Sequence, residues 1–99
     1  MDTKHLKCFI TVAHTLNFND AAKILNYSQS TISDQIRNLE QQLGVKLFER
    51  LGKKIFLNKQ GNCLLPLAVR MVKNADEIEH LFSDKGEITG SLTIGAAES

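Results

Sequence analysis

Between Ser28 and Arg37 the chain reads Ser28-Gln29-Ser30-Thr31-Ile32-Ser33-Asp34-Gln35-Ile36-Arg37, a run dense in hydroxyl, amide and charged side chains. The chemistry open to such groups is hydrogen bonding to base edges. Gln can pair bidentately with adenine, Ser and Thr serve donor or acceptor edges, and Asp accepts from the N4 amino group of cytosine. A second set, Arg50, Lys53 and Lys54, offers cations suited to phosphates. Nothing resembles a catalytic set. His5, His14 and His80 lie on separate segments, and with two isolated cysteines they make no metal-ligand spacing. There is no glycine-rich phosphate loop and no nucleophile elbow. The chain is therefore expected to be no enzyme and to need no metal or cofactor.

These residues need elements to carry them. Leu6, Phe9, Ile10, Ala13 and Leu16 form the stripe of a first amphipathic helix, which Asp2 or Thr3 can cap. Asn19 is expected to cap a short second helix containing Ala21, Ala22, Ile24 and Leu25. Asn26-Tyr27-Ser28 then breaks the pattern as a turn. Ser28 caps a third helix whose apolar stripe is Ile32, Ile36, Leu39 and Leu43, and Gly44 stops it. Residues 46–50 and 54–57 read as two short strands joined at Leu51-Gly52-Lys53, a hairpin with a basic tip. A long helix follows, from a cap at Asn58 to about Phe82, with Pro66 expected to kink its first turns. Leu57, Gly61, Leu64, Ala68, Met71, Ala75, Ile78 and Phe82 alternate by four and three, a heptad seam. Such a helix spans roughly 37 Å, more than a domain this small can cover, so its seam is expected to pair with a second copy.

The pair at 19–25 and 28–43 has the form of a helix-turn-helix, in which the second helix lies in the major groove with its leading residues at the base edges. Charge agrees. The net charge of +1 hides nine Lys/Arg against five Asp/Glu in residues 1–60, and three against six in 61–99. A basic first half suits a polyanion. Cys8 and Cys63 both fall in apolar patterns and read as buried free thiols in a reducing compartment. No apolar run approaches the roughly 18 residues of a membrane span, and no signal-peptide core follows Met1, so a cytoplasmic location is expected.

The run from Phe18 to Ser33, the continuation Gln35-Ile36-Arg37-Asn38-Leu39-Glu40, and Leu43-Gly44-Val45-Lys46-Leu47-Phe48-Glu49-Arg50 resemble the N-terminal domain of LysR-type transcriptional regulators. Gly61-x-x-Leu64-Leu65-Pro66 resembles that family's linker helix. The resemblance covers essentially the whole chain. It implies a mainly α fold with a small β-hairpin: a winged helix-turn-helix followed by a long dimerisation (linker) helix. It also implies sequence-specific binding to double-stranded DNA as a homodimer, with a tetramer in a longer protein whose C-terminal domain takes a small-molecule effector. By position, Gln29, Ser30, Ser33 and Asp34 would read bases, Ser28, Thr31 and Arg37 would lie near phosphates, and Arg50, Lys53 and Lys54 would be wing contacts. Leu64, Ala68, Met71, Ala75, Ile78 and Phe82 would line the dimer, and Ser99 resembles an effector-contacting position.

Leu57-Asn58 stands where Leu-Thr is usual in the family, Asn being an equally good cap, and two further departures matter more. Ser30 stands where Pro is frequent and Asp34 where Arg is frequent, so the operator cannot be borrowed from relatives. The expected division is a DNA-binding domain at 1–58, a linker helix at 59–83, and at 84–99 a hinge with the first strand of a truncated effector domain. The same fold can also serve as a protein-interaction module without DNA, or as the winged helix of another sensor such as a molybdate-responsive regulator. A steep salt dependence of duplex binding separates the first alternative from the DNA reading.

Overall fold

The computed structural model describes residues 1–83; the hinge and strand expected at 84–99, and Ser99, lie outside the described residues. The elements run α1 (Thr3–Thr15), α2 (Phe18–Leu25), α3 (Gln29–Leu43), β1 (Phe48–Leu51), β2 (Lys54–Leu57) and α4 (Lys59–Ser83).

Local chemistry sets most of the boundaries. Asp2 Oδ1 accepts from the Lys4 amide at 3.0 Å and starts α1. Leu16 closes it in the left-handed region (φ 52), its N–H donating to the Val12 carbonyl at 2.7 Å. The second helix is capped by Asn17 rather than Asn19: Asn17 Oδ1 accepts from the Asp20 amide at 3.0 Å. Starting earlier brings Phe18 into the helix, where it packs against the core. Ser28 caps α3 as expected, and Gly44 ends it at φ 73, donating to the Glu40 carbonyl at 2.8 Å. Pro66 sits inside α4 and does not end it.

The three short helices enclose a core of Leu6, Cys8, Phe9, Val12, Ala21, Ala22, Ile32, Ile36 and Leu39, joined by Leu47, Ile55 and Ala68. Burying a Leu, Ile or Phe is worth roughly 1.5–3 kcal/mol each, so these few side chains supply most of the drive to fold. Ala21 and Ala22 are both buried, and their small side chains let α2 approach α1 and α3 closely. The hairpin is antiparallel, pairing Phe48 with Leu57, Glu49 with Phe56, Arg50 with Ile55 and Leu51 with Lys54. Its turn is Gly52-Lys53, one residue shorter than expected, with Gly52 at φ 65 as a two-residue hairpin turn requires. Phe48 stacks on Phe9, ring centroids 5.6 Å apart and tilted by 59°, which binds the hairpin to α1. Among the described residues no helix is long and apolar enough to cross a membrane.

Candidate nucleic-acid interface

Ser28 Oγ accepts from the Thr31 amide at 3.2 Å and lies 2.8 Å from Thr31 Oγ1 and 3.2 Å from Ser30 Oγ. The cap therefore organises three hydroxyls at the positive end of α3, a place suited to an anion. Ser28, Gln29, Ser30, Asp34 and Arg37 are exposed, and Thr31 and Ser33 are partly so. The opposite face carries the buried Ile32, Ile36 and Leu39. One polar edge of α3 is thus left free along its first two and a half turns.

The hairpin is held beside that edge by contacts around Leu47. Glu40 Oε2, on α3, accepts from the Leu47 amide at 2.8 Å. On the other side the Asn58 amide donates to the Leu47 carbonyl at 3.0 Å, and Asn58 Nδ2 donates to the Lys46 carbonyl at 2.8 Å. Asn58 Oδ1 also accepts from the Gly61 amide at 2.8 Å, capping α4. One side chain therefore joins the start of the hairpin strand to the start of the long helix. The Arg50 guanidinium lies 6.0 Å from the centre of the Phe18 ring, which steadies it against α2.

The outcome is a notch between α3 and the hairpin lined by Ser33, Arg37, Lys46 and Arg50 over Phe18 and Phe48. It brings together three of the expected residues, Ser33, Arg37 and Arg50. Lys53 and Lys54 are exposed at the hairpin tip, outside the notch. Lys46, Glu40, Phe18 and Asn58 escaped selection as parts of the site, although Lys46 was visible as a cation next to the hairpin. Arg37 is not free: its Nη1 donates to Asp34 Oδ1 at 2.9 Å. A second aromatic–cation contact, Lys4 Nζ 5.1 Å from the Tyr27 ring centre, joins α1 to the turn before α3. Among the described residues no group of three or more His, Cys, Asp or Glu could hold a metal ion.

The sequence of residues 3–62 matches a protein-family model described as "Bacterial regulatory helix-turn-helix protein, lysR family". The chain belongs to the lysR family. Within it, the uncharacterized HTH-type transcriptional regulator YwqM of Bacillus subtilis (strain 168) is 41% identical over 99 residues, all of this chain and 34% of that protein. The chain thus spans about a third of that curated relative. The solved LysR-type neighbours include DNA complexes. The BenM DNA-binding domain on catB site 1 DNA has a TM-score of 0.78 and 30% identity, covering 85% of this chain and 94% of that one. The CbnR DNA-binding domain in complex with DNA has a TM-score of 0.75 and 40% identity, covering 79% and 90%. The winged helix-turn-helix, its mainly helical class and the long helix that follows are those of LysR-family DNA-binding domains.

The structure redistributes the expected seam of the LysR-type linker helix. Gly61 and Ala68 are buried in their own domain, Ala68 at 1% exposure, and Leu64 is half-buried against the same core. Ala68 consequently has no surface to lend a partner. Ala75 is half-buried, whereas Met71, Ile78 and Phe82 are exposed at 48%, 62% and 75%. Apolar residues outside the expected set are exposed as well, Leu67 at 54%, Leu81 at 48% and Val69 at 39%. The exposed row is Leu67, Met71, Asn74, Ile78 and Leu81, again stepping by four and three but rotated away from the core. Cys63 lies on this outer side and is exposed, contrary to the buried thiol expected. Cys8 is buried as expected; burial pushes its thiol pKa up, and the nearby Lys4 charge opposes this in part.

Proposed function

We propose that the chain is the DNA-binding part of a transcriptional regulator and binds double-stranded DNA sequence-specifically through the free edge of α3. In this reading the leading residues of α3 enter the major groove. Gln29, Ser30, Ser33 and Asp34 face base edges, and Ser28, Thr31 and Arg37 face the flanking phosphates. The hairpin is the wing, with Arg50, Lys53 and Lys54 on the backbone or in the adjacent minor groove. The observation that carries the proposal is the pairing of an exposed polar helix edge with a cationic hairpin fixed to it through Glu40–Leu47–Asn58. It is supported by the likeness to two LysR-type domains whose structures contain DNA.

The chain acts as a dimer through the outer apolar row of α4, Leu67, Met71, Ile78 and Leu81, with Phe82 at its end. A row of large apolar side chains at heptad spacing is the surface an antiparallel or parallel partner helix needs. A two-fold dimer then reads an inverted repeat, its half-sites about 34–36 Å apart or a multiple of that. Effector binding, activation or repression, and tetramer formation are assigned in this reading to regions of the kind that longer relatives carry outside the matched part; the chain spans 34% of YwqM.

Selection of bound duplexes from a random pool, followed by titration of the winners against salt, tests the proposal. The expected result is a dyad-symmetric consensus and a log–log slope of several units. Recovery of no consensus, with weak binding indifferent to salt, would overturn it and favour the protein-interaction alternative.

A further inference from the structure

The charge on α3 is unusual for a helix offered to a polyanion. From Gln29 to Leu43 it carries one cation, Arg37, and two carboxylates, Asp34 and Glu40. Arg37 sits one turn from each. The carboxylates have different duties: Glu40 Oε2 holds the Leu47 amide at 2.8 Å and so positions the wing, whereas Asp34 Oδ1 accepts from Arg37 Nη1 at 2.9 Å. The Asp34 and Arg37 side chains are 64% and 61% exposed, so their pair lies in solvent, where ion pairs contribute little to folding. Asp34 Oδ2 has no hydrogen bond among the described residues. The pair therefore occupies the free edge of the helix without a structural task there.

We propose that Asp34 is a selectivity-determining residue that acts through Arg37: it withholds the guanidinium from the phosphates of indiscriminate duplex and favours cytosine or adenine, whose amino group donates, over guanine or thymine at the strand position it faces. This rests on the DNA-binding reading above. An ionised carboxylate only accepts hydrogen bonds. In the major groove cytosine N4 and adenine N6 are donors, whereas guanine O6 and N7 and thymine O4 are acceptors. With one oxygen committed to Arg37, Asp34 keeps the other for a base-edge amino group. Opposite an amino group the carboxylate is satisfied on both sides. Opposite a keto edge it meets an acceptor, and its charge also repels the rails of the duplex. Asp34 thus weakens binding everywhere and weakens it most at the wrong sites.

The test compares the wild-type chain with Asp34→Asn, Asp34→Glu and Arg37→Gln on the selected duplex and on a scrambled duplex, across a salt series. Asp34→Asn keeps the shape and removes the charge. It is expected to bind scrambled duplex several-fold more tightly and to steepen its salt slope by about one, as one released cation neutralises one more phosphate. It should also lose roughly five- to hundred-fold of its preference at a single position per half-site, the span of one mismatched base pair. Asp34→Glu restores the shallower slope. Arg37→Gln in the Asn background removes the gained slope, whereas in the wild-type background it changes the slope less. Thermal melts of all variants should coincide, because the pair is exposed. Unchanged or weaker binding of Asp34→Asn to scrambled duplex, or an unchanged slope, overturns the proposal while leaving the DNA-binding reading standing. A wild-type chain without salt-dependent duplex binding overturns both.

Discussion

Replacing Gly61 by alanine sets helix propensity against packing, and the structure determines which wins. Gly61 is buried in the first turn of α4, where alanine would ordinarily be favoured by about 1 kcal/mol. An added Cβ, however, would stand 2.6 Å from Leu57 Cδ2 and closer still to the carbonyl oxygen of Leu47. The leucine methyl can rotate away; the carbonyl cannot readily do so. It accepts from the Asn58 amide at 3.0 Å, and the amide of the same residue is held by Glu40 at 2.8 Å. Forcing an extra carbon into a filled space costs about 1–3 kcal/mol, and loosening the Asn58–Leu47 bond adds about 1 kcal/mol. Set against the propensity gain, the net expectation is a loss of about 1–3 kcal/mol. With a urea m-value of roughly 1–3 kcal/mol/M, the unfolding midpoint of Gly61→Ala should fall by about 1 M. Duplex affinity should fall with it, since Leu47 leads into the wing. A midpoint equal to or above that of the wild type would refute the packing account.

Three further outcomes follow from named contacts. Ser28→Ala removes the α3 cap and should cost about 1 kcal/mol, lowering the melting temperature by roughly 4–8 °C in a domain of this size; an unchanged melt would show that the cap is dispensable. The raised Cys8 pKa means that the folded state holds the thiol proton more tightly than the unfolded chain. Its contribution to stability is thus fully present below the free thiol value of roughly 8.5 and is lost as pH rises through the folded value, with a slope of up to about 1.4 kcal/mol per pH unit. Urea titrations from pH 7 to 10 in reductant should show a decline that is shallower in Cys8→Ala, and parallel curves would contradict it. Finally, Ile78→Glu or Leu67→Glu should shift sedimentation towards the monomer without loss of helix content, whereas Ala68→Glu should unfold the domain; an unaltered mass for both surface variants would place the dimer contact elsewhere.

What could be read from the sequence was what local rules decide. Ser28 before a run of helix formers, Gly44 after Leu43 and Asn58 ahead of α4 act within a turn of their own position, and all three serve in the structure as expected. The capping of α2 was misplaced by two residues because Asn17 and Asn19 are equal as caps; the choice turns on Phe18, which must enter the helix to reach the core and lie beneath Arg50. The apolar surface of α4 is divided for a related reason. Its apolar residues form two adjoining rows, one turned to the domain (Gly61, Leu65, Ala68, Val72) and one turned outward (Leu67, Met71, Ile78, Leu81). A single heptad drawn through the sequence takes members from both, and the positions of α1 and of the hairpin separate them. The clamp on Leu47 was equally invisible, since Glu40 and Asn58 meet there from segments seven and eleven residues away.

Affinity and selectivity reside on different elements in this reading. Residues 46–57 carry Lys46, Arg50, Lys53 and Lys54 against the single acid Glu49, while α3 has more acids than bases. Long-range attraction to a duplex scales with net charge and falls within a Debye length of about 8–10 Å in physiological salt. The wing therefore supplies the pull that any DNA sequence can exploit, and α3 adds little to it. What α3 adds is directional: a capped row of hydroxyls, one amide and an acid–base pair, each able to gain from one arrangement of donors and acceptors and to lose with another. The rigidity of the join between the two elements then matters more than the strength of either. A wing that could drift from α3 would still hold DNA, yet it would no longer present the helix at a fixed depth in the groove, and the bases would go unread.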